Sequence, residues 1–316
     1  MKPGPHGRPP RRIVGVAGLL AVLRNLGLLG PRGTPDALHH YPADDGQRIP
    51  VNVLGRGDPV VLVHGLGCSH RHWMPVARRL SRHMRVFAWD ARCHGGCVAQ
   101  PGTAVTLRRL AADLQQMLDH FGLERVVLVG HSMGALTVMQ YLHDHGSERV
   151  AAVGLVDQSP RIVTDTSWRL GIFGGCSHEM LQGLFASART DLAELVMREL
   201  EAAAGGWLQR RAGTRAALAA MLRRWLGSFD AAPLLALAES LATADFRALL
   251  PTLDRPVWIV LGGRSAHYAG VPLEGYYRSA VRHATVTIYE RSGHSPHVAE
   301  PQRFAQDLLK FLADHA

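Results

Sequence analysis

The stretch from Val126 to Gly134 constrains this chain more than any other. Four apolar residues, Val126-Val127-Leu128-Val129, lead directly into Gly130-His131-Ser132-Met133-Gly134, and Ala135 to Asp144 then follows with a helical pattern. A continuous valine-rich run of this length reads as a strand buried on both faces of a parallel sheet. G-x-S-x-G between such a strand and a helix predicts a sharp turn that lifts the Ser132 side chain above the sheet edge. Gly130 and Gly134 remove the side chains that would block so tight a turn. The helix N-terminus beneath Ser132 favours negative charge at that point.

The rest of the chain supplies the sheet this turn needs. Leu38 to Leu54 reads as a hairpin turning at Asp45-Gly46. Short apolar runs follow at Val60 to Val63, Val86 to Trp89 and Val150 to Val156, with two more at Val257 to Leu261 and Thr285 to Tyr289. Helical segments separate them. His72 to Leu80 is one, and Thr106 to Phe121 is another, with Leu107, Leu110, Leu114, Met117, Leu118 and Phe121 on one face. Pro301 to Ala313 closes the chain as a helix. Alternating strand and helix predicts an α/β fold, a mostly parallel doubly wound sheet with right-handed crossovers. The alternation stops after Pro160, and an Ala-, Leu- and Arg-rich stretch with helical periodicity takes over to Leu250. The expected organisation is a core made of 34–160 and 251–316, with 161–250 inserted as a helical cap.

Composition narrows the function classes. Of 316 residues 47% are hydrophobic and 19% charged, which suits a globular domain with a sizeable core. The net charge of +9 comes almost wholly from arginine, since only Lys2 and Lys310 are lysines. The arginines are scattered, no basic stripe alternates with aromatics, and no nucleic-acid partner is expected. Cys93 and Cys97 flank His94, but a metal site needs further ligands at matching spacing, so neither metal nor cofactor is expected. Four cysteines without a framework fit a reduced, cytoplasmic protein. Residues 1–33 read as an extension, flexible or forming an amphipathic helix. Its apolar run from Ile13 to Leu23 is too short to span a bilayer. Contact of 13–29 with a membrane surface, or export through this segment, is the alternative.

A serine hydroxyl needs a base. Among 18 histidines, position selects His294, which lies in Ser292-Gly293-His294-Ser295-Pro296 after the last strand and before the last helix. A third group must orient the imidazole. One place for it is the loop Gly262 to Tyr268, which holds no acid, the nearest downstream being Glu274. The other is Asp157, at the end of the strand after that of Ser132. The empty rival loop favours Asp157, with a turn-capping role as its alternative. Oxyanion donors are expected from the backbone N–H groups of Met133 and of Leu66, in His64-Gly65-Leu66-Gly67 after Val63. Each donor is worth about 3 kcal/mol of transition-state stabilisation. His64 and Gly65 would support that loop.

With these residues in view, the chain resembles the α/β-hydrolase superfamily from about Leu38 to Ala316. His64-Gly65 looks like the oxyanion loop, and Asp90-Ala91-Arg92-Cys93-His94-Gly95 like the family's Asp-x-Arg-Gly-x-Gly stretch. Gly293-His294, with Glu300-Pro301 and Phe304 behind it, looks like the ending of lid-bearing members. Cys93 stands where Gly is usual and Cys97 where Ser is frequent. Ser265 stands near the usual site of the acid. The resemblance therefore implies the variant in which the acid follows the sixth strand, which again points to Asp157. Asp157-Gln158-Ser159-Pro160, with Trp168 and Gly171 behind it, resembles a subgroup of bacterial hydrolases. The implied activity is hydrolysis of a carboxylic ester, lactone or thioester through an acyl-enzyme on Ser132, on a small acyl substrate with an apolar portion. The alternatives are an acyltransferase, cyclase or perhydrolase using the same triad, or a non-catalytic ligand-binding protein.

Overall fold

Alternate residues of the valine-rich strands belong to different cores, which is why these runs are apolar throughout. Val61, Val63, Phe87, Trp89 and Leu128 are buried in one cluster, and Val60, Leu62, Val86, Ala88, Val127 and Val129 in another. Successive side chains of a strand point to opposite faces, so a sheet with one core on each side buries both sets. This arrangement is seen in a computed structural model, which describes residues 38–99, 105–191, 193–194, 197, 212–226, 232–268 and 270–315. The expected extension 1–33, and with it 13–29, lies outside the described residues.

Eight strands form one sheet: β1 (His39–Pro42), β2 (Arg48–Leu54), β3 (Pro59–Val63), β4 (Arg85–Trp89), β5 (Val126–His131), β6 (Val150–Val156), β7 (Val257–Gly262) and β8 (Ala284–Tyr289). Their order is β1-β2-β4-β3-β5-β6-β7-β8. β1 and β2 form the expected hairpin, β2 pairs antiparallel with β4, and every other pairing is parallel. The carboxyl ends of β3, β5, β6, β7 and β8 therefore meet along one edge of the sheet.

The helices follow local chemistry. The segment expected as one helix from His72 divides into a 3-10 turn at His70–His72 and a helix, α1 (Met74–Leu80). Pro75 in its first turn explains the late start, because proline is tolerated there and not further in. α2 (Leu107–His120) is capped by Thr106, whose hydroxyl accepts from the Arg109 N–H at 3.1 Å. Its expected face is buried, and Asp113 lies among the buried residues. The fully buried Arg92 answers that charge, donating to Asp113 at 2.6 and 2.8 Å and to Asp45 at 2.6 and 2.9 Å. The stretch around Arg92 thus ties the first hairpin to α2. Cys93 takes φ 63°, the left-handed region that explains a usual glycine.

Between β6 and β7 the described residues include the α-helices α4 (His178–Thr190), α5 (Ala212–Leu226) and α6 (Ala232–Ala242). They do not interrupt the sheet, since β6 pairs directly with β7. The Phe246 N–H bonds the Pro160 carbonyl at 3.0 Å and brings the two ends of this excursion together. α3 (Met133–His145) follows β5, α7 (Leu273–Ala280) follows β7, and the short α8 (Pro296–Ala299) and the closing α9 (Pro301–Ala313) follow β8.

Candidate active site

At the end of β5 the chain reverses into α3 within a single residue. Ser132 takes φ 54° and ψ −121°, a conformation that L-residues rarely adopt and that sharp functional turns retain. Its N–H bonds the Val156 carbonyl at 3.1 Å, so β6 braces the turn. The two glycines are required sterically. A Cβ on Gly134 would lie 2.2 Å from the Val63 carbonyl oxygen, and one on Gly130 would lie 2.2 Å from the Gly134 oxygen. The turn is pressed against the end of β3. Ser132 is partly exposed, and its hydroxyl makes no hydrogen bond among the described residues.

Asp157 sits one residue past β6, at φ 47°, with 1% of its surface exposed. Three donors converge on its carboxylate. The Gly262 N–H donates to Oδ1 at 2.8 Å, the Ser265 hydroxyl to Oδ2 at 2.6 Å, and His294 Nδ1 lies 2.7 Å from Oδ2. Burial pushes the Asp157 carboxyl up to about 6, against the downward pull of Ser265 and of the Gly262 N–H. Burial holds the His294 imidazole down, at about 4. At neutral pH the pair is therefore a carboxylate facing a neutral imidazole. Facing a carboxylate acceptor, Nδ1 carries the ring proton and donates it in the hydrogen bond, which leaves Nε2 unprotonated. Glu274 is elsewhere, on α7, paired with Arg278 at 3.0 Å.

His131 anchors the His294 loop to the turn. Its Nε2 donates to the His294 carbonyl at 2.8 Å. Burial keeps its ring neutral. A Cβ on Gly65 would lie 3.0 Å from His131 Nδ1 and 3.2 Å from Ser132 Cβ, so the loop after β3 runs directly along the turn. Neither Leu66 nor Met133 gives its backbone N–H to an acceptor among the described residues. His64 explains the orientation of the Leu66 amide. Its Nδ1 donates to the Gly65 carbonyl at 2.8 Å, and its Nε2 accepts from the Ala91 N–H at 3.0 Å. Burial lowers its pKa to about 3, so it stays neutral in that tautomer. A trans peptide whose carbonyl is held on one side presents its N–H on the other.

Sequence reasoning missed three of these contributors. Ser265 stands near the usual site of the acid in the family, and its hydroxyl holds the Asp157 carboxylate. His131 occupies a variable position of G-x-S-x-G, and His267, whose ring stacks on that of His294, lies in the loop that holds no acid. Among the described residues no group of three or more His, Cys, Asp or Glu side chains is placed to hold a metal ion. No described helix is long and apolar enough to cross a membrane.

The alpha/beta hydrolase family model matches residues 60–307. The chain belongs to that family. Its similarity extends to named relatives. A pimeloyl-[acyl-carrier protein] methyl ester esterase of Vibrio vulnificus is 27% identical over 257 residues, covering 81% of this chain and 95% of that one. A non-heme haloperoxidase of Rhodococcus erythropolis is 36% identical over 125 residues, which is 39% of this chain and 45% of that one. Among solved structures, a bromoperoxidase from Bacillus anthracis superposes with a TM-score of 0.72 at 22% identity, over 88% of this chain and all of its own. That structural likeness speaks for the fold.

Proposed function

We propose that this alpha/beta hydrolase cleaves a carboxylic ester, lactone or thioester through an acyl-enzyme on Ser132. One observation carries the reading: His294 Nδ1 donates its hydrogen bond to the Asp157 carboxylate at 2.7 Å, which leaves Nε2 as a base on the loop anchored to the serine turn. The turn itself holds the hydroxyl clear of the sheet. Nε2 removes the Ser132 proton as the oxygen attacks the substrate carbonyl carbon, and the Asp157 carboxylate stabilises the imidazolium that forms. The N–H groups of Leu66 and Met133 receive the oxyanion. The imidazolium returns its proton to the departing alcohol or thiol, leaving the acyl group on Ser132. Water, deprotonated by Nε2, then attacks the acyl carbon and releases the carboxylic acid.

The similarity to a methyl ester esterase over most of both chains supports ester hydrolysis. Leu66, in the loop after β3, and Phe173, against His267, are exposed apolar side chains, at 39% and 45% exposure, and suit an apolar portion of the substrate. Residues 161–250 would close over that portion as a cap. The haloperoxidase likeness over 39% of the chain favours one second reading, in which peroxide replaces water in the last step. The test is turnover of a p-nitrophenyl ester series of increasing acyl length by the parent protein and by Ser132→Ala, with fluorophosphonate labelling alongside. Loss of both turnover and labelling in the variant is expected. Undiminished turnover in Ser132→Ala, or a parent that neither labels nor turns over any ester, refutes the reading. A product shift to peracid when peroxide is added separates the two acceptors.

A further inference from the structure

His294 is held by its edge through Asp157, but a ring held at one edge can still rotate about that bond. Something must also fix its plane. The His267 ring lies on it, with centroids 3.8 Å apart and planes inclined by 18°. Phe173 lies against His267 in turn, with centroids 5.2 Å apart and planes tilted by 32°. Its N–H bonds the His267 carbonyl at 2.6 Å. A line of ring contacts thus runs from the exposed Phe173 through His267 to the candidate base. His267 lies two residues after Ser265 on the same loop, so one loop holds both the acid and the plane of the base.

We propose that His267 is a positioning residue for the hydrolysis proposed above, setting the ring plane of His294 and shielding its face from water. The inference rests on His294 being the general base. A stacked aromatic ring makes this contact through its face, and neither nitrogen of His267 donates or accepts a hydrogen bond with His294. Its Nδ1 is buried and unpaired, and burial holds the imidazole neutral. A neutral ring face also attracts the imidazolium formed when His294 takes the Ser132 proton. The contact is therefore stronger in the transition state than in the resting enzyme, the condition under which an interaction raises kcat.

His294 is faced by Asp157 from the end of β6, by His131 from β5, by His267 and Tyr268 from the loop after β7, and by His297 from α8. Of these only Asp157 is charged at neutral pH. His267→Ala leaves that electrostatic frame in place and opens one face of the base to solvent. His267→Phe keeps the face covered and removes both nitrogens.

Four proteins, the parent, His267→Ala, His267→Phe and Ser132→Ala, are compared for p-nitrophenyl ester turnover against pH. His294 is titrated in parallel by NMR in the intact chain. For His267→Ala we expect kcat to fall about tenfold with KM nearly unchanged, as for a catalytic group displaced by a fraction of an ångström. The His294 titration should move upward, toward the ordinary histidine value. His267→Phe should restore kcat to within about threefold of the parent and keep the titration in place. An unmoved His294 titration in His267→Ala overturns the inference whatever the activity. So does a His267→Phe protein that folds like the parent and is as impaired as His267→Ala, because the nitrogens would then matter and the face would not. If Ser132→Ala retains turnover, the underlying reading fails instead.

Discussion

Ser265→Ala probes how the acid is held. The Ser265 hydroxyl is buried and donates to Asp157 Oδ2 at 2.6 Å, in the range of a charge-assisted bond. Such bonds contribute about 1.5–3 kcal/mol net. At about 1.36 kcal/mol per pKa unit, losing it raises the Asp157 carboxyl by about one to two units. The parent carboxyl titrates at about 6. At pH 7 about nine-tenths of the parent therefore holds the carboxylate, against about half to one-tenth of the variant. Only the ionised carboxylate can support the imidazolium, so kcat/KM at pH 7 should fall roughly two- to tenfold from protonation alone.

The same loss makes a signed statement about stability. A buried carboxyl whose pKa is raised on folding binds more protons folded than unfolded, so its folded state weakens as pH rises from the unfolded value toward the folded one. Removing Ser265 carries that weakening to higher pH. Urea unfolding should show a deficit about 1.5–3 kcal/mol larger at pH 8.5, where Asp157 is charged, than at pH 5, where the bond is to a neutral carboxyl. The acidic limb of kcat/KM, which belongs to the Asp157–His294 pair as a unit, should move up, with activity recovering above pH 8. A pH-independent loss with an unmoved limb would show that Ser265 only fills space.

Two further outcomes follow. Asp157→Ala should lower kcat about 10⁴-fold while Glu274→Gln leaves it intact, and adding Ser265→Asp to the first should restore part of the loss, because position 265 already reaches the same Oδ2 location; no recovery in a folded double variant refutes that placement. Acid should destabilise the fold early: His64, His72, His94, His131, His267 and His297 are all held below the ordinary value by burial, so the unfolded chain takes up protons that the folded chain refuses as pH falls below about 6.5. Each contributes up to about 1.4 kcal/mol of loss per pH unit until its folded pKa is reached, so unfolding free energies unchanged between pH 7 and 5.5 would contradict their neutral burial.

The parts of the fold legible in the sequence were those enforced by burial on both faces. Val60 to Val63 and Val126 to Val129 can hardly be anything but central strands, because each offers apolar side chains to two cores. The serine turn was legible for a related reason: two glycines at fixed spacing are the only residues that admit backbone oxygens at 2.2 Å from where a Cβ would stand. The division of the segment before α1 was less visible, since a local pattern of apolar residues does not distinguish a 3-10 turn from the first turn of a helix. Residues 1–33 and 198–211 lie outside the described residues.

The acid site shows why an absence in sequence can mislead. Gly262 to Tyr268 holds no carboxylate, which leaves Asp157 as the candidate acid. Yet the loop is not idle at that position. Its Gly262 N–H, Ser265 hydroxyl and His267 ring all act on the Asp157–His294 pair, two through the carboxylate and one through the imidazole. None of the three is titratable and charged at neutral pH, so a search for charged partners passes over them. Moving the carboxylate from one strand end to the next leaves the donor geometry around it to be supplied by the loop it vacated. A serine two residues before an aromatic ring, in a loop after β7 with no acid, is therefore a positive signal for an acid after β6. Chains with that loop pattern and no carboxylate after β6 would contradict it.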